Sequence, residues 1–125
     1  MQNRGIEAVN YVVAAFGGHD VPLAACHLFG SDALAEAVVA AMAGRHACLM
    51  ANHGAFAVGE TRQRALWRLQ ELENLARSNL LSRTGGTPVI LSRAEFSASV
   101  QGFASNAPGR GQDTPASFPA RGTGA

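Results

Sequence analysis

The sequence predicts an α/β protein, a mixed β-sheet with flanking helices in αβα layers, and three observations carry that expectation. Two segments place apolar residues at helical spacing, Leu34-Val38-Ala41 and Ala65-Leu69-Leu72-Ala76-Leu80. Before and between them stand short apolar runs bounded by glycine, asparagine or proline, as buried strands are. Strands and helices interleave without a strict alternation, which favours a mixed sheet with helices packed on it.

Taken in order, residues 8–16, AVNYVVAAF, are rich in β-branched and aromatic side chains and read as a strand. Gly17-Gly18-His19-Asp20 is a turn, and Val21-Pro22-Leu23-Ala24 a shorter strand. Gly30-Ser31-Asp32 supplies N-cap chemistry for a helix of about three turns, which Gly44 should stop. His46 to Ala51 is a continuous apolar run, expected as a strand covered on both faces. Asn52-His53-Gly54 breaks it, and Ala55 to Val58 resumes as the next strand. From Thr61 the second periodic segment predicts a long amphipathic helix, with Glu73 and Arg77 paired i, i+4 on its outer side. Gly85-Gly86 and Pro88 end it, Val89-Ile90-Leu91 suits a last strand, and Arg93 to Gly102 a weak helix. Beyond Phe103 the composition turns to Pro, Gly, Ser, Thr and Ala, so residues 1–103 form one domain and 104–125 are expected to be a disordered tail.

Bulk properties exclude several function classes. A length of 125 residues suits one core. No apolar stretch approaches the roughly 18 residues of a membrane span, and the N-terminus lacks the pattern of a secretory signal, so a cytoplasmic location is expected. Net charge is +1 with the basic residues spread along the chain, which gives no electrostatic footprint for nucleic acid. All ten basic residues are Arg, and without Lys no imine with a carbonyl substrate can form on this chain. Cys26 and Cys48 have neither the density of a disulfide scaffold nor C-x-x-C spacing.

Few residues stand out as chemistry on spacing alone. His53 lies where two apolar runs meet, beside a glycine that permits close approach, which suits a metal ligand or a histidine satisfied at a strand end. Tyr11, the single tyrosine, reads as core packing with a hydroxyl at the rim or as a proton donor. Cys26-His27 has no identifiable orienting third group for nucleophilic catalysis. His19, His27 and His46 form no recognisable pattern with His53, and Gly17-Gly18 is not followed by a helix start, as a phosphate loop would be.

The order of the pieces is more specific. The Tyr11-containing segment leading into Ala14-Ala15-Phe16-Gly17-Gly18, Phe29-Gly30 before a Leu-Ala-Glu-Ala helix, and Asn52-His53-Gly54 before Val58-Gly59-Glu60 resemble the class II aldolase/adducin family, in particular the C-terminal half of the fuculose-phosphate aldolases. The likeness covers about residues 3–95 and implies a truncated portion of that fold.

It further implies a zinc-dependent lyase that cleaves a sugar phosphate to dihydroxyacetone phosphate and an aldehyde. His53 matches the third zinc histidine, Tyr11 a proton donor reaching in from a neighbouring subunit of a cyclic homotetramer, and Phe29 an aromatic bordering the substrate's apolar side. The family's His-x-His pair, its metal-associated carboxylate and its phosphate-binding glycines and serines lie upstream of the matched part. The isolated chain is therefore expected to be inactive and not to retain zinc. Asn10 and Glu7 depart from the family pattern, as does Ala25-Cys26-His27-Leu28 in place of Pro-Tyr-Ala-Thr. A non-catalytic adducin-like assembly module and a family epimerase or dehydratase are the alternative readings.

Overall fold

The computed structural model describes residues 4–105, so most of the expected tail, 106–125, lies outside the described residues. β1 (Ile6–Glu7) pairs antiparallel with β2 (Asp20–Val21), placing Ile6 opposite Val21. A second sheet follows, built from β3 (Leu23–Ala24), β4 (Ala47–Met50) and β5 (Gly54–Ala57). β4 is central, parallel to β3 and antiparallel to β5, and this is the mixed pairing expected. The parallel pair needs a crossover, and α1 (Asp32–Ala41) provides it. Ser31 caps α1 by accepting from the Leu34 N–H at 3.2 Å. α2 (Arg62–Thr84) starts at the Thr61 cap and ends at Gly85, as its sequence signals require. α3 (Arg93–Ser105) opens with a reciprocal capping box. The Ser92 N–H donates to Glu95 Oε2 at 2.8 Å, and the Glu95 N–H to Ser92 Oγ at 3.3 Å. No helix among the described residues is long and apolar enough to cross a membrane.

Two expected strands are absent. Tyr11–Phe16 is a 3₁₀ helix. Its start is set by Asn10, whose side chain accepts from the Val12 N–H at 3.0 Å, and its end by Gly17 in the left-handed region at φ 86°. Residues three apart stack in a 3₁₀ helix, so Val13 and Phe16 both enter the core while Tyr11 is 55% exposed. Burial of that pair overrides the β propensity of Val12 and Val13. Val89 to Leu91 likewise forms no ladder. Instead the Leu91 N–H donates to the Ala8 carbonyl at 2.8 Å, and His19 Nε2 donates to the Leu91 carbonyl at 2.9 Å. His19 also meets Phe96 edge to face, which explains it as a structural residue.

The core gathers Ile6, Ala8, Val13, Phe16, Val21 and Ala47 with Leu72 and Leu75 of α2. Cys48 is fully buried, and burial pushes its thiol up from the ordinary value. The buried stripe of α2 runs Arg68, Leu72, Leu75, Asn79, displaced from the predicted Ala65-Leu69-Leu72-Ala76-Leu80. Leu69 and Leu80 remain 38% and 55% exposed. Leucine lies on two adjacent faces of α2, and the described sheet covers one of them.

Arg68 is 4% exposed although it is charged. Its Nε donates to the Ala15 carbonyl at 3.3 Å and its Nη1 to the Val58 carbonyl at 2.7 Å, while Nη2 faces Glu60 Oε1 at 3.4 Å. A buried guanidinium is tolerated only with such partners. A hydrogen bond from its own backbone and the charge of Arg68 hold the Glu60 carboxyl below the ordinary glutamate value.

Replacing Arg68 with Met should lower unfolding free energy by about 1.5–3 kcal/mol, because two carbonyls lose a charged donor. Urea titration should read this as a lower midpoint, and Arg68→Lys should recover little, since an ammonium cannot span both carbonyls. A lowered Glu60 value stabilises the fold above the ordinary glutamate value and ceases to do so as pH falls through the folded one. Glu60→Gln should therefore flatten stability against pH below about 4.3 and leave it unchanged in shape near neutrality, measurable by denaturation across a pH series.

Candidate active-site cleft

Parallel pairing brings the exits of β3 and β4 to the same end of the sheet. The Leu49 N–H donates to the Pro22 carbonyl at 2.8 Å and the Ala51 N–H to the Ala24 carbonyl at 3.0 Å, carrying the pairing to the last strand residues. Crevices beyond the carboxyl ends of strands in open α/β sheets are common ligand sites. Here the segment leaving β3 and the turn leaving β4 enclose a cleft of about 580 Å³, lined by Cys26, His27, Phe29, Asn52 and His53 among others.

The β4–β5 turn presents His53. Asn52 adopts φ 58°, which Asn tolerates better than most residues, and the His53 N–H donates to the Met50 carbonyl at 3.1 Å. The chain thus reverses within three residues and leaves the His53 ring exposed at the cleft. On the opposite wall the Leu28 carbonyl accepts from Ser31 Oγ at 2.7 Å and from the Ser31 N–H at 3.2 Å. That turn, with Gly30 at φ 73°, holds Phe29 at its tip, 76% exposed.

The structure therefore places His53 and Phe29 at one cleft. Tyr11 does not line it; its ring lies against Phe103 with centroids 6.2 Å apart. Cys26 and His27 do line it, which spacing along the chain could not show, because only the β3–β4 register brings them opposite His53. The lining offers imidazole, thiol and amide groups, with no carboxylate or guanidinium. Among the described residues no group of three or more His, Cys, Asp or Glu side chains is placed to hold a metal ion. Gly17-Gly18 has a structural use. Gly17 ends the 3₁₀ helix, and a side chain at Gly18 would strike the Arg45 guanidinium, which pairs with Asp20 at 2.6 Å.

Comparison with known proteins shows the family of the chain. Residues 1–80 match the family model described as Class II Aldolase and Adducin N-terminal domain. The L-fuculose phosphate aldolase of Escherichia coli (strain K12) is 36% identical over 102 residues, covering 81% of this chain and 47% of that protein. The 5-methylthioribulose-1-phosphate/5-deoxyribulose-1-phosphate aldolase of Rhodospirillum rubrum is 37% identical over 100 residues, covering 80% of this chain and 45% of its own length. A solved L-fuculose 1-phosphate aldolase superposes with a TM-score of 0.76 at 32% identity, over 80% of this chain and 47% of its own. The chain spans about half the length of the curated relatives it matches. In sequence and in fold, the chain belongs to the class II aldolase and adducin family.

Proposed function

We propose that this chain supplies part of the active site of a class II aldolase that cleaves a sugar phosphate of the fuculose-phosphate type to dihydroxyacetone phosphate and an aldehyde. The supporting observation is the position of His53 in the turn beyond β4, facing the same cleft as Phe29. The similar proteins are aldolases named for sugar phosphates, which favours this over an epimerase, a dehydratase or an adducin-like assembly role.

Zinc is the metal the family implies, and a catalytic zinc takes about three protein ligands with one open position. The described residues do not fit it alone, since His53 is the single matching donor and no three donors converge. His53 is read as one ligand of a site whose remaining donors come from the part of the domain that this chain does not match.

The placement of this chain's own residues supports the roles proposed for them. Phe29 offers an exposed ring to the apolar side of a substrate. Tyr11 lies outside the cleft and is largely exposed, which supports the reading that its hydroxyl serves a neighbouring subunit's site in a homotetramer. There it would donate a proton to the aldehyde oxygen during condensation and take it back during cleavage.

The isolated chain should bind zinc no more tightly than an exposed histidine does. Metal analysis after dialysis checks this, and a stoichiometric, chelator-resistant zinc would contradict it. In a protein rebuilt by adding the family's N-terminal half, Tyr11→Phe should lower turnover by roughly 10²–10⁴ and keep its metal, whereas His53→Ala should lose metal and activity together. Mixed oligomers of those two inactive variants should regain part of the activity, because some sites then hold both intact residues. Full turnover in Tyr11→Phe would remove the tyrosine from the mechanism.

A further inference from the structure

Tyr11 is 55% exposed, and exposed side chains hop between rotamers on the picosecond to nanosecond scale. A proton donor cannot work from such an ensemble, because a reacting group has to be held within roughly 0.5 Å of its productive place. The fold restrains this ring from two sides. On the first, Asn10 is extended at φ −149° and ψ 144° and makes both hydrogen bonds that open the 3₁₀ helix. Its Oδ1 accepts from the Val12 N–H at 3.0 Å and its carbonyl from the Val13 N–H at 3.1 Å, so the backbone before Tyr11 is tied to the backbone after it. On the second, Phe103 in the last turn of α3 meets the Tyr11 ring with centroids 6.2 Å apart and planes at 40°, inside the range of favourable aromatic pairs. α3 is itself fastened to the same stretch of chain. The Leu91 N–H, two residues before α3, donates to the Ala8 carbonyl at 2.8 Å, and Phe96 meets the His19 ring edge to face at 5.1 Å. Ala8 and His19 flank the 3₁₀ helix, so the element that carries Phe103 is anchored on both sides of Tyr11.

We infer that Asn10 and Phe103 are positioning residues that hold the Tyr11 ring in one orientation for proton transfer. The inference rests on the proposed role of Tyr11 and adds how an exposed tyrosine is kept ready for it. Asn10 fixes where the Tyr11 Cα–Cβ bond points, because its cap sets the first turn of the 3₁₀ helix. Phe103 limits which rotamers the ring can then adopt. Together they restrain the side chain while more than half of the residue stays in solvent, which burial in the core would not allow. Asn10 thereby gains a use at a position where the chain departs from the family pattern, since an asparagine side chain is among the strongest helix caps.

Tyr11 is the single tyrosine of the 125-residue chain, so tyrosine-selective isotope labelling reports on this ring alone. Three-bond couplings across its χ1 should show one dominant staggered rotamer in the wild-type chain. Asn10→Ala and Phe103→Ala should each raise the minor rotamers at least about threefold, because an unrestrained side chain spreads over the staggered wells. Asn10→Asp keeps a capping oxygen and Phe103→Trp keeps a ring, so both should retain the wild-type couplings. Amide shifts of β4 and helical circular dichroism should match the wild type in all four variants, which separates loss of orientation from loss of fold. Phe103 is half-buried and outside the core cluster, so its two variants decide the matter if Asn10→Ala disturbs the fold. A folded Asn10→Ala or Phe103→Ala chain with unchanged couplings would overturn the inference, as would a wild-type ring already averaged over rotamers. Turnover is not measured, so this failure leaves the proton-donor reading standing, and that reading fails separately if Tyr11→Phe keeps full turnover.

Discussion

A single buried guanidinium joins the three parts of the fold that meet around α2. Arg68 reaches from the second turn of that helix to the carbonyl of Ala15 near the end of the 3₁₀ helix and to the carbonyl of Val58 just beyond β5. Neither carbonyl belongs to a regular ladder, and buried carbonyls without donors are costly. The charge is expensive to bury, yet its hydrogen bonds tie α2 to the 3₁₀ helix and to the segment beyond β5. One and two turns further along the helix, Leu72 and Leu75 share the core with Ile6, Val13, Phe16 and Val21.

The same packing leaves Leu69 and Leu80 on the other side of α2. A helix satisfied by one sheet needs one apolar stripe, whereas α2 carries a second that opens beside β5. α1 shows a milder form of this. Its leucine and valine face packs toward β3 and β4, yet none of its residues is fully buried. The chain spans about half the length of the relatives it matches, and the cleft holds His53 and Phe29 while no three His, Cys, Asp or Glu side chains are placed to hold a metal among the described residues.

Local chemistry at the chain reversals decides how the site is presented. Asn52 takes the left-handed conformation that turns the chain from β4 to β5, and this points His53 outward at the end of a well-paired strand. Gly30 does the same for Phe29 across the cleft. Both turns sit on backbone hydrogen bonds of the parallel pair or of the α1 cap, so the cleft walls rest on rigid elements.

Sequence by itself determined the mixed α/β class, α1, α2 and their caps, β4, the break that carries His53, and the family. These depend on patterns within a few residues, such as Ser31 and Thr61 before apolar periods or Gly85 after one. Tertiary structure alone decided the 3₁₀ helix at Tyr11–Phe16, because β-branched residues favour a strand until the core requires Val13 and Phe16 on one side. It decided that Leu91 is held by the Ala8 carbonyl and the His19 ring in place of a strand partner, a contact 72 residues apart in sequence for the histidine. It also decided which stripe of α2 is buried and which partners share the cleft with His53, since helical period gives spacing but not orientation, and strand register is a property of two segments together.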